Sequence, residues 1–272
     1  MAARGDEHQS YLLATGEKAV SRLDLLDRIF GPGTRDLLAA TGLALGMRVA
    51  EIGCGTGQTA LWTAAQVSPH GSVVAVDASG EQLRVAATSA GKNGIRNVSF
   101  HQASAYDLGL PEQSFDLVYA RFLLCHLDDP AKAVNRMRSI LKPGGVLVCE
   151  DHDDGGIFTE PPSRAYKRLV EISDAVNRAR GLDSYMGLKL PALFRAAGFS
   201  HPNVRINQLT CLHGEEKKFW EITLREATPA IVAAGAATPG ELESICREMQ
   251  VIANDESTLV MLARVTQVWA RD

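Results

Sequence analysis

The chain contains 272 residues, of which 46% are hydrophobic and 22% are charged, and its formal net charge is −4. A globular chain of this length and composition can bury a sizeable core. The sequence has no block rich in lysine and arginine, which argues against a surface that follows nucleic-acid phosphates, so nucleic acid is not an expected partner. No apolar run reaches membrane-spanning length and the first ten residues show no signal-peptide pattern, so we expect neither a membrane partner nor export.

Cysteines are scattered along the chain, odd in number and without a C-x-x-C pair. They are Cys54, Cys125, Cys149, Cys211 and Cys246. A disulfide framework requires paired cysteines and an oxidising compartment. The pattern therefore indicates reduced thiols and predicts a cytoplasmic location.

The first half of the chain is predicted to contain a helical cap followed by a parallel sheet. Residues 1–44 form the cap, since EKAVSRLDLLDRIF and GTRDLLAATGL show the apolar spacing of helices. Over residues 45–152, strand-like and helix-like segments alternate, which is typical of a parallel sheet. Strands are predicted at MRVAEIG, SVVAVDA, NVSFHQA, FDLVYAR and GGVLVCE, and helices at TALWTAAQV, EQLRVAATSAGKNG and PAKAVNRMRSIL.

Residues 156–190 are predicted to form an inserted helical lid, because a proline-bounded helix, PPSRAYKRLVEISDAVNRARG, directly follows the fifth strand and has one apolar face. That face comprises Tyr166, Leu169, Val170, Ile172, Ser173, Val176 and Asn177. A helix that only packs on the sheet would show the same face. Residues 191–272 are predicted to complete the sheet around a helical insertion, with strands near 203–212 and 258–269. We expect one domain over residues 1–272.

The stretch VAEIGCGTG places Gly53, Gly55 and Gly57 where the first strand turns into its helix. Open α/β sheets bind ligands at this edge, and glycine lets the backbone approach the ligand closely. A dinucleotide-binding loop has the spacing G-x-G-x-x-G, but the position of its third glycine is Gln58 here. This spacing argues against a nicotinamide- or flavin-dependent oxidoreductase, which stays open as an alternative.

Two carboxylates accompany the glycines. Glu51 precedes them by two residues, and a carboxylate there repels a pyrophosphate but suits a ligand with positive charge, such as an amino group or a sulfonium. S-adenosylmethionine carries both groups. Asp77 ends the second strand, where a carboxylate can accept hydrogen bonds from both ribose hydroxyls. A strand-end aspartate also commonly caps a helix or a turn.

Four stretches together resemble the class I S-adenosylmethionine-dependent methyltransferases, particularly the small-molecule branch of ubiquinone/menaquinone type. They are VAEIGCGTG, VVAVDAS, LPEQSFDLVYARFLLCHLDDP and LKPGGVLVCED. The resemblance implies an α/β, Rossmann-like sheet of seven strands in the order 3-2-1-4-5-7-6, with the seventh antiparallel and helices on both faces. It implies S-adenosyl-L-methionine as cofactor and S-adenosyl-L-homocysteine as product. The implied cofactor-binding residues are Tyr11, Glu51, Gly53, Gly55, Gly57, Asp77, Ala78, Ser104, Ala105 and Arg121.

The sequence departs from the family after the third strand. Where relatives usually show Gly-Asp-Ala, with the aspartate on the adenine amino group, this chain has Ala103-Ser104-Ala105. Ser104 is the residue that the resemblance places at the adenine.

Candidate catalytic residues lie after the fourth and fifth strands, on loops that face the methyl group in this architecture. We predict His126, His152 and Asp151, with Glu150 as a further candidate. A positioned histidine or carboxylate that removes a proton from the acceptor contributes about 10²–10⁴-fold to the rate. His126 equally suits a structural role near the start of the following helix.

The predicted function is methyl transfer to a small organic acceptor through oxygen, nitrogen or carbon, by in-line displacement. We predict no metal, although the run CEDHDDGG could hold a divalent ion, and a thiolate pocket for arsenite is a further alternative. A module that binds S-adenosylmethionine without transferring its methyl group also stays open, as does a homodimer.

Overall fold

The computed structural model describes residues 20–272, with side chains from residue 21 onward. Over this range the chain forms eight helices and eight strands. The helices are α1 (Val20–Ala40), α2 (Gln58–Val67), α3 (Gly80–Lys92), α4 (Pro130–Ser139), α5 (Arg164–Ala179), α6 (Met186–Ala196), α7 (Phe219–Ala233) and α8 (Pro239–Ala253). The strands are β1 (Arg48–Ile52), β2 (Ser72–Asp77), β3 (Val98–Gln102), β4 (Phe115–Arg121), β5 (Leu141–Asp153), β6 (Phe158–Glu160), β7 (Asn203–Cys211) and β8 (Leu259–Arg271).

One mixed sheet contains all these strands. The first five pair in parallel in the order β3-β2-β1-β4-β5. β8 then pairs antiparallel with β5 on one side and with β7 on the other. β7 and β8 are the predicted sixth and seventh strands, so the α/β class and the order of these seven strands are confirmed.

The predicted number of seven strands is wrong by one, because β6 is an additional short strand. A one-turn helix, Asp154–Gly156, bends the chain away from β8 after β5. Phe158–Glu160 then returns to pair with residues 259–261 of β8. Met261 pairs with β6 on one side and with Thr210 of β7 on the other, so β6 continues the line of β5. Pro161 ends the strand because it has no N–H for the ladder.

Both faces of the sheet are covered, and successive strand residues divide between two apolar clusters. In β1, Ala50 and Ile52 pack on the face that α4 and α6 cover, while Val49 packs on the face of α1 and α2. This alternation follows from the two-residue period of a strand. It explains why the predicted parallel strands appear as nearly continuous apolar runs.

A third apolar cluster joins α1, α5, α7 and α8 above the carboxyl ends of the strands. The two predicted N-terminal helices merge into α1, which carries Pro32 within it. The predicted cap residues 1–19, including Tyr11, lie outside the described residues. No helix among residues 20–272 combines the length and the apolar composition needed to cross a membrane.

Candidate functional site

A cavity of about 600 Å³ lies at the carboxyl ends of the central strands, the edge where open α/β sheets bind ligands. One wall consists of the ends of β1, β2 and β4 and the glycine loop, residues 53–57. The opposite wall consists of α1, α5 and α7, which we call the roof. The cavity therefore has a loop end, on the sheet, and a roof end, among the helices.

Each roof helix presents one face to the cavity, as its residue spacing shows. The lining residues of α7 are Phe219, Trp220, Thr223, Leu224, Ala227 and Ile231. Those of α5 are Leu169, Ile172, Ser173, Val176 and Asn177, which all belong to the face predicted for the lid. Residues three and four apart lie on one side of a helix, so both sets form stripes. Tyr166 and Val170 of the predicted face pack into the apolar cluster instead.

A row of aromatic rings runs along the cavity from the sheet to the roof. Phe122 follows β4 and lies edge-to-face with His152 at 5.9 Å and with Phe30 at 5.2 Å between ring centroids. Phe30 contacts Phe219 at 6.2 Å, and Phe219 contacts Trp220 at 4.9 Å. Phe122 has a φ of 51°, a left-handed conformation that is uncommon for residues other than glycine and that recurs at functional sites. The row gives the cavity a wall suited to a planar ligand.

The glycine loop serves two purposes. Gly57 has a φ of 82°, and a Cβ there would lie 2.8 Å from the Cβ of Ala86, so this glycine allows the loop to pack against α3. Gly55 has a φ of 53°, and a Cβ there would meet no atom within 4 Å. Its backbone faces open space at the cavity, which suits the close approach of a ligand.

Asp77 fixes this loop from the end of β2. Its Oδ2 accepts a hydrogen bond of 2.8 Å from the Gly55 amide, and its Oδ1 accepts one of 2.8 Å from the Ser79 amide. Burial raises the pKa of Asp77, and the amide donors of Ser79 and Gly55 oppose that shift. Each carboxylate oxygen keeps a second lone pair for a ligand donor.

Glu51 is a buried acidic residue with one oxygen that accepts no hydrogen bond. Its side chain lines the cavity, and its Oε2 has no hydrogen-bond partner. Burial raises the pKa of Glu51 from 4.5 to about 8, although the Arg121 guanidinium opposes the shift. Arg121 itself donates to Asp27 at 3.2 Å and to Thr34 at 3.0 Å, both on α1. A cationic ligand would supply the partner that Glu51 lacks.

Glu150 is held within the protein. Its Oε1 accepts short hydrogen bonds from the hydroxyls of Tyr119 and Thr34, and its Oε2 accepts one of 2.7 Å from Gln267. These contacts tie β5 to α1, β4 and β8. The candidate role of Glu150 in catalysis is therefore disfavoured, since its acceptor sites are occupied away from the cavity.

Asp151, His152 and Asp154 form a cluster after β5, which we call the acid–histidine cluster. His152 Nδ1 lies 3.2 Å from Asp151 Oδ1, and His152 Nε2 lies 3.6 Å from Asp154 Oδ1. Burial alone would lower the pKa of His152, but Asp154 and Asp151 raise it to about 9. Burial opposes ionisation of Asp151, yet the contacts with His152 lower its pKa. His152 is thus an imidazolium at neutral pH.

His126 ends a short helix, Leu124–His126, and also lines the cavity. Burial lowers its pKa from 6.5 to about 4, and the positive charge of His152 acts in the same direction. His126 is therefore neutral where His152 is charged. Only the neutral ring can accept a proton, so the two histidines have different chemical capacities.

Comparison with known proteins agrees with this arrangement. The sequence family described as a methyltransferase domain matches residues 50–149. An uncharacterized methyltransferase of Schizosaccharomyces pombe is 28% identical over 180 residues, which are 64% of this chain and 64% of that protein, so the chain covers just under two thirds of that relative. A demethylmenaquinone methyltransferase of Symbiobacterium thermophilum is 26% identical over 233 residues, 75% of this chain and 90% of that protein.

The fold has solved counterparts as well. The crystal structure of a putative methyltransferase from Bacillus halodurans superposes with a TM-score of 0.61 at 19% identity, and covers 87% of this chain and 97% of that one. Residues 50–149 are thus similar to a methyltransferase domain, and the similarity to a demethylmenaquinone methyltransferase extends beyond them. The matched segment holds the glycine loop, Asp77 and β4, which form the loop end of the cavity.

The loop end of the cavity fits S-adenosylmethionine chemically. The unpaired Glu51 suits the ammonium or the sulfonium, the open backbone at Gly55 suits close approach, and Asp77 offers lone pairs to ribose hydroxyls. The predicted residues that line the cavity are Glu51, Gly53, Gly55, Asp77, Ala78, Ser104, Ala105, Arg121, His126 and His152. Gly57 and Asp151 lie behind its wall, with Gly57 against Ala86 and Asp151 against His152.

Sequence reasoning missed several polar residues of the cavity. Asp154 lies in the run CEDHDDGG but was not predicted, and its Oδ1 is buried without a hydrogen-bond partner. Gln82 of α3 lines the loop end with its Oε1 equally unpartnered. On the roof, Arg22 Nη2 and Trp220 Nε1 are buried donors without a partner. Only Asp154 carried a signal, since it follows two candidate residues in an acidic turn.

The thiol and metal alternatives can be placed in the structure. Cys125, Asp151 and His152 have ligand atoms within 4.8 Å of one another. Asp151 and His152 already pair with each other, and burial raises the pKa of Cys125, which opposes the thiolate that a metal needs. Cys125 and the pair Cys211 and Cys246 belong to different apolar clusters, which disfavours a common arsenic pocket.

Proposed function

We propose that the protein transfers a methyl group from S-adenosylmethionine to a small, largely apolar acceptor that the roof encloses. One observation carries this proposal: a single cavity joins the unpaired Glu51 carboxylate above the glycine loop to an apolar chamber that ends in the acid–histidine cluster. The first part matches the charges of the cofactor. The second part matches an acceptor that must be desolvated next to a group able to handle a proton.

The bound cofactor supplies an activated methyl group on a sulfonium. The protein's residues have the remaining tasks of binding, alignment and exclusion of water. Asp77 would accept hydrogen bonds from the ribose, Glu51 would pair with positive charge, and Gln82 Oε1 would accept from the adenine amino group, where Ser104 is the residue that the sequence placed. Ser104 lines the same end of the cavity, and its hydroxyl accepts from the Tyr106 amide at 3.2 Å.

The acceptor would lie along the aromatic row beneath α5 and α7. Leu169, Ile172 and Leu224 make this part of the cavity apolar, and α5 lies within residues 156–190, for which a lid is predicted. A demethylmenaquinone methyltransferase among the relatives is consistent with a planar acceptor.

The remaining expectations belong to the same proposal. All five cysteines are unpaired and buried, which supports a reducing compartment such as the cytoplasm. We expect a small-molecule acceptor rather than nucleic acid, because the cavity has a volume of about 600 Å³ and a mainly apolar lining. A homodimer stays a prediction, which size-exclusion chromatography with light scattering can test.

Titration calorimetry tests the proposal directly. S-adenosylmethionine and S-adenosylhomocysteine should both bind, while NAD should give no heat of binding. Mass spectrometry of ligands released from the purified protein provides an independent check. Tight binding of NAD with no response to either sulfur ligand would favour the oxidoreductase alternative and contradict the proposal. Cofactor binding in a protein that methylates nothing in a cell extract would favour the non-catalytic module.

A further inference from the structure

We propose that Asp154 is the group that receives the acceptor's proton, and that the acceptor is therefore a hydroxylated aromatic molecule rather than a carbon nucleophile without an acidic O–H. This inference rests on the proposed function and assigns its catalytic base. Asp154 is 2% exposed, lines the cavity, and carries an Oδ1 without a hydrogen-bond partner. A buried carboxylate oxygen left unpaired is costly unless a ligand donor completes it.

The surroundings of Asp154 hold its carboxylate in place. Ser173 of α5 donates to Asp154 Oδ2 at 2.7 Å, which leaves Oδ1 for the ligand. The Asp154 amide donates to the Ser184 carbonyl at 3.0 Å, so the backbone is fixed as well. Burial raises the pKa of Asp154, while the positive charge of His152 opposes that shift. The charged groups that act on it besides His152 are Asp153 and Asp174.

His152 cannot be the base in this arrangement, because both of its nitrogens face carboxylates and its pKa is raised to about 9. It is a cation that stabilises a neighbouring oxyanion. Asp151, the other predicted catalytic carboxylate, accepts from the amides of Cys125 at 3.1 Å and His152 at 2.9 Å. Asp154 is thus the carboxylate of the cluster that lines the cavity, and its Oδ1, which lies 3.6 Å from His152 Nε2, accepts no hydrogen bond.

In the proposed step, the proton of the acceptor moves to Asp154 and the methyl group moves to the acceptor oxygen. The acceptor O–H bond breaks and its proton forms an O–H bond at Asp154 Oδ1; the electron pair left on the acceptor oxygen forms the new O–CH₃ bond, and the pair of the broken C–S bond stays on sulfur as a neutral thioether. The positive charge of His152, beside Asp154, would favour the negative charge that develops on the oxygen. The aromatic row beside His152 would hold the ring of the acceptor.

A matched pair of probes tests the inference without knowledge of the natural acceptor. β-Naphthol and its methyl ether have the same ring system, but only the naphthol can donate to Asp154. We expect the wild-type protein, with and without S-adenosylhomocysteine, to bind the naphthol about 10- to 100-fold more tightly than the ether, as a hydrogen bond to a charged acceptor implies. Asp154→Asn should remove this preference. Asp174→Asn should keep it, since Asp174 pairs with Arg178 outside the cavity and supplies a matched change of charge.

The pH dependence gives a second readout that a purely structural carboxylate would not produce. Naphthol binding should weaken as pH falls and Asp154 takes up a proton, while binding of the ether should not change with pH. This titration uses the wild-type chain and holds even if Asp154→Asn folds poorly. Equal binding of the two probes, absence of binding by both, or a preference that survives Asp154→Asn would each overturn the inference. Failure to bind S-adenosylhomocysteine would instead contradict the proposed function.

Discussion

Glu51 offers a direct test of the site. Its burial without a partner should destabilise the protein when no cofactor is bound, and the positive charge of the cofactor should offset that destabilisation. Its pKa is raised from 4.5 to about 8 by burial. Each pKa unit corresponds to about 1.4 kcal/mol, so an ionised Glu51 should cost the empty protein on the order of 5 kcal/mol above about pH 8. The neutral analogue Glu51→Gln removes this cost.

The sign of the pH dependence follows from the direction of the shift. A carboxyl group whose pKa is higher in the folded protein than in the unfolded chain lowers the free energy of unfolding once the unfolded chain has released its proton. The stability is fully present below pH 4.5 and is lost as pH rises toward about 8, because the unfolded chain releases its proton first. Glu51→Gln should therefore match the wild type at about pH 4 and exceed its free energy of unfolding by several kcal/mol at about pH 9.

Two measurements check this expectation. Urea denaturation at both pH values gives the free energy of unfolding of the wild type, Glu51→Gln and the control Glu112→Gln, whose carboxylate is 74% exposed. Calorimetry of S-adenosylmethionine binding in buffers of different ionisation enthalpy gives the number of protons released. The wild type should release close to one proton at about pH 7, because the cation favours the ionised carboxylate, and Glu51→Gln should release none and bind more weakly. Equal stability of Glu51→Gln and the wild type at both pH values, with no proton released by the wild type, would refute the reasoning.

Three further outcomes are expected. Asp77→Ala should weaken S-adenosylmethionine binding about tenfold or more in calorimetry, since it deletes an acceptor for charged hydrogen bonds; an unchanged dissociation constant in a folded variant would assign the ribose elsewhere. In NMR titrations, His126 should gain its proton near pH 4 and His152 should lose its proton near pH 9, and two ordinary values near 6.5 would contradict the site electrostatics. Lys217→Met should lower the free energy of unfolding by roughly 3 kcal/mol in urea denaturation, because Nζ of this buried lysine donates to three backbone carbonyls; a loss below about 1 kcal/mol would contradict that role.

The sequence predicted the loop end of the cavity better than the roof end, for a physical reason. Glu51, Gly55 and Asp77 lie at strand ends whose positions follow from the alternation of strands and helices. The roof depends on contacts between distant segments, such as the ion pair of 2.9 Å between Arg22 and Glu226. No local spacing indicates that α1 and α7 meet, so Arg22 and Trp220 could not be predicted.

The charge state of His152 could not be predicted from the neighbouring sequence either. His152 was predicted as a catalytic residue, yet the bend at Asp154–Gly156 brings a second carboxylate to its Nε2, and its raised pKa makes it a cation. The same bend produced β6, the strand that the sequence missed. Both departures therefore have one origin, a short turn after β5 whose geometry the run CEDHDDGG does not reveal.

The same turn links the roof to the chemistry. Asp154 Oδ2 accepts a hydrogen bond from the Ser173 hydroxyl of α5, so the position of this carboxylate depends on α5 lying over the cavity. The loop end depends on no such contact, since Asp77 accepts hydrogen bonds from backbone amides in the loops that follow β1 and β2. Cofactor binding and proton acceptance thus rest on different elements of one cavity. Changes in α5 should consequently alter the handling of the acceptor while leaving the cofactor site intact, which is the separation that an enclosing helix over a class I methyltransferase sheet permits.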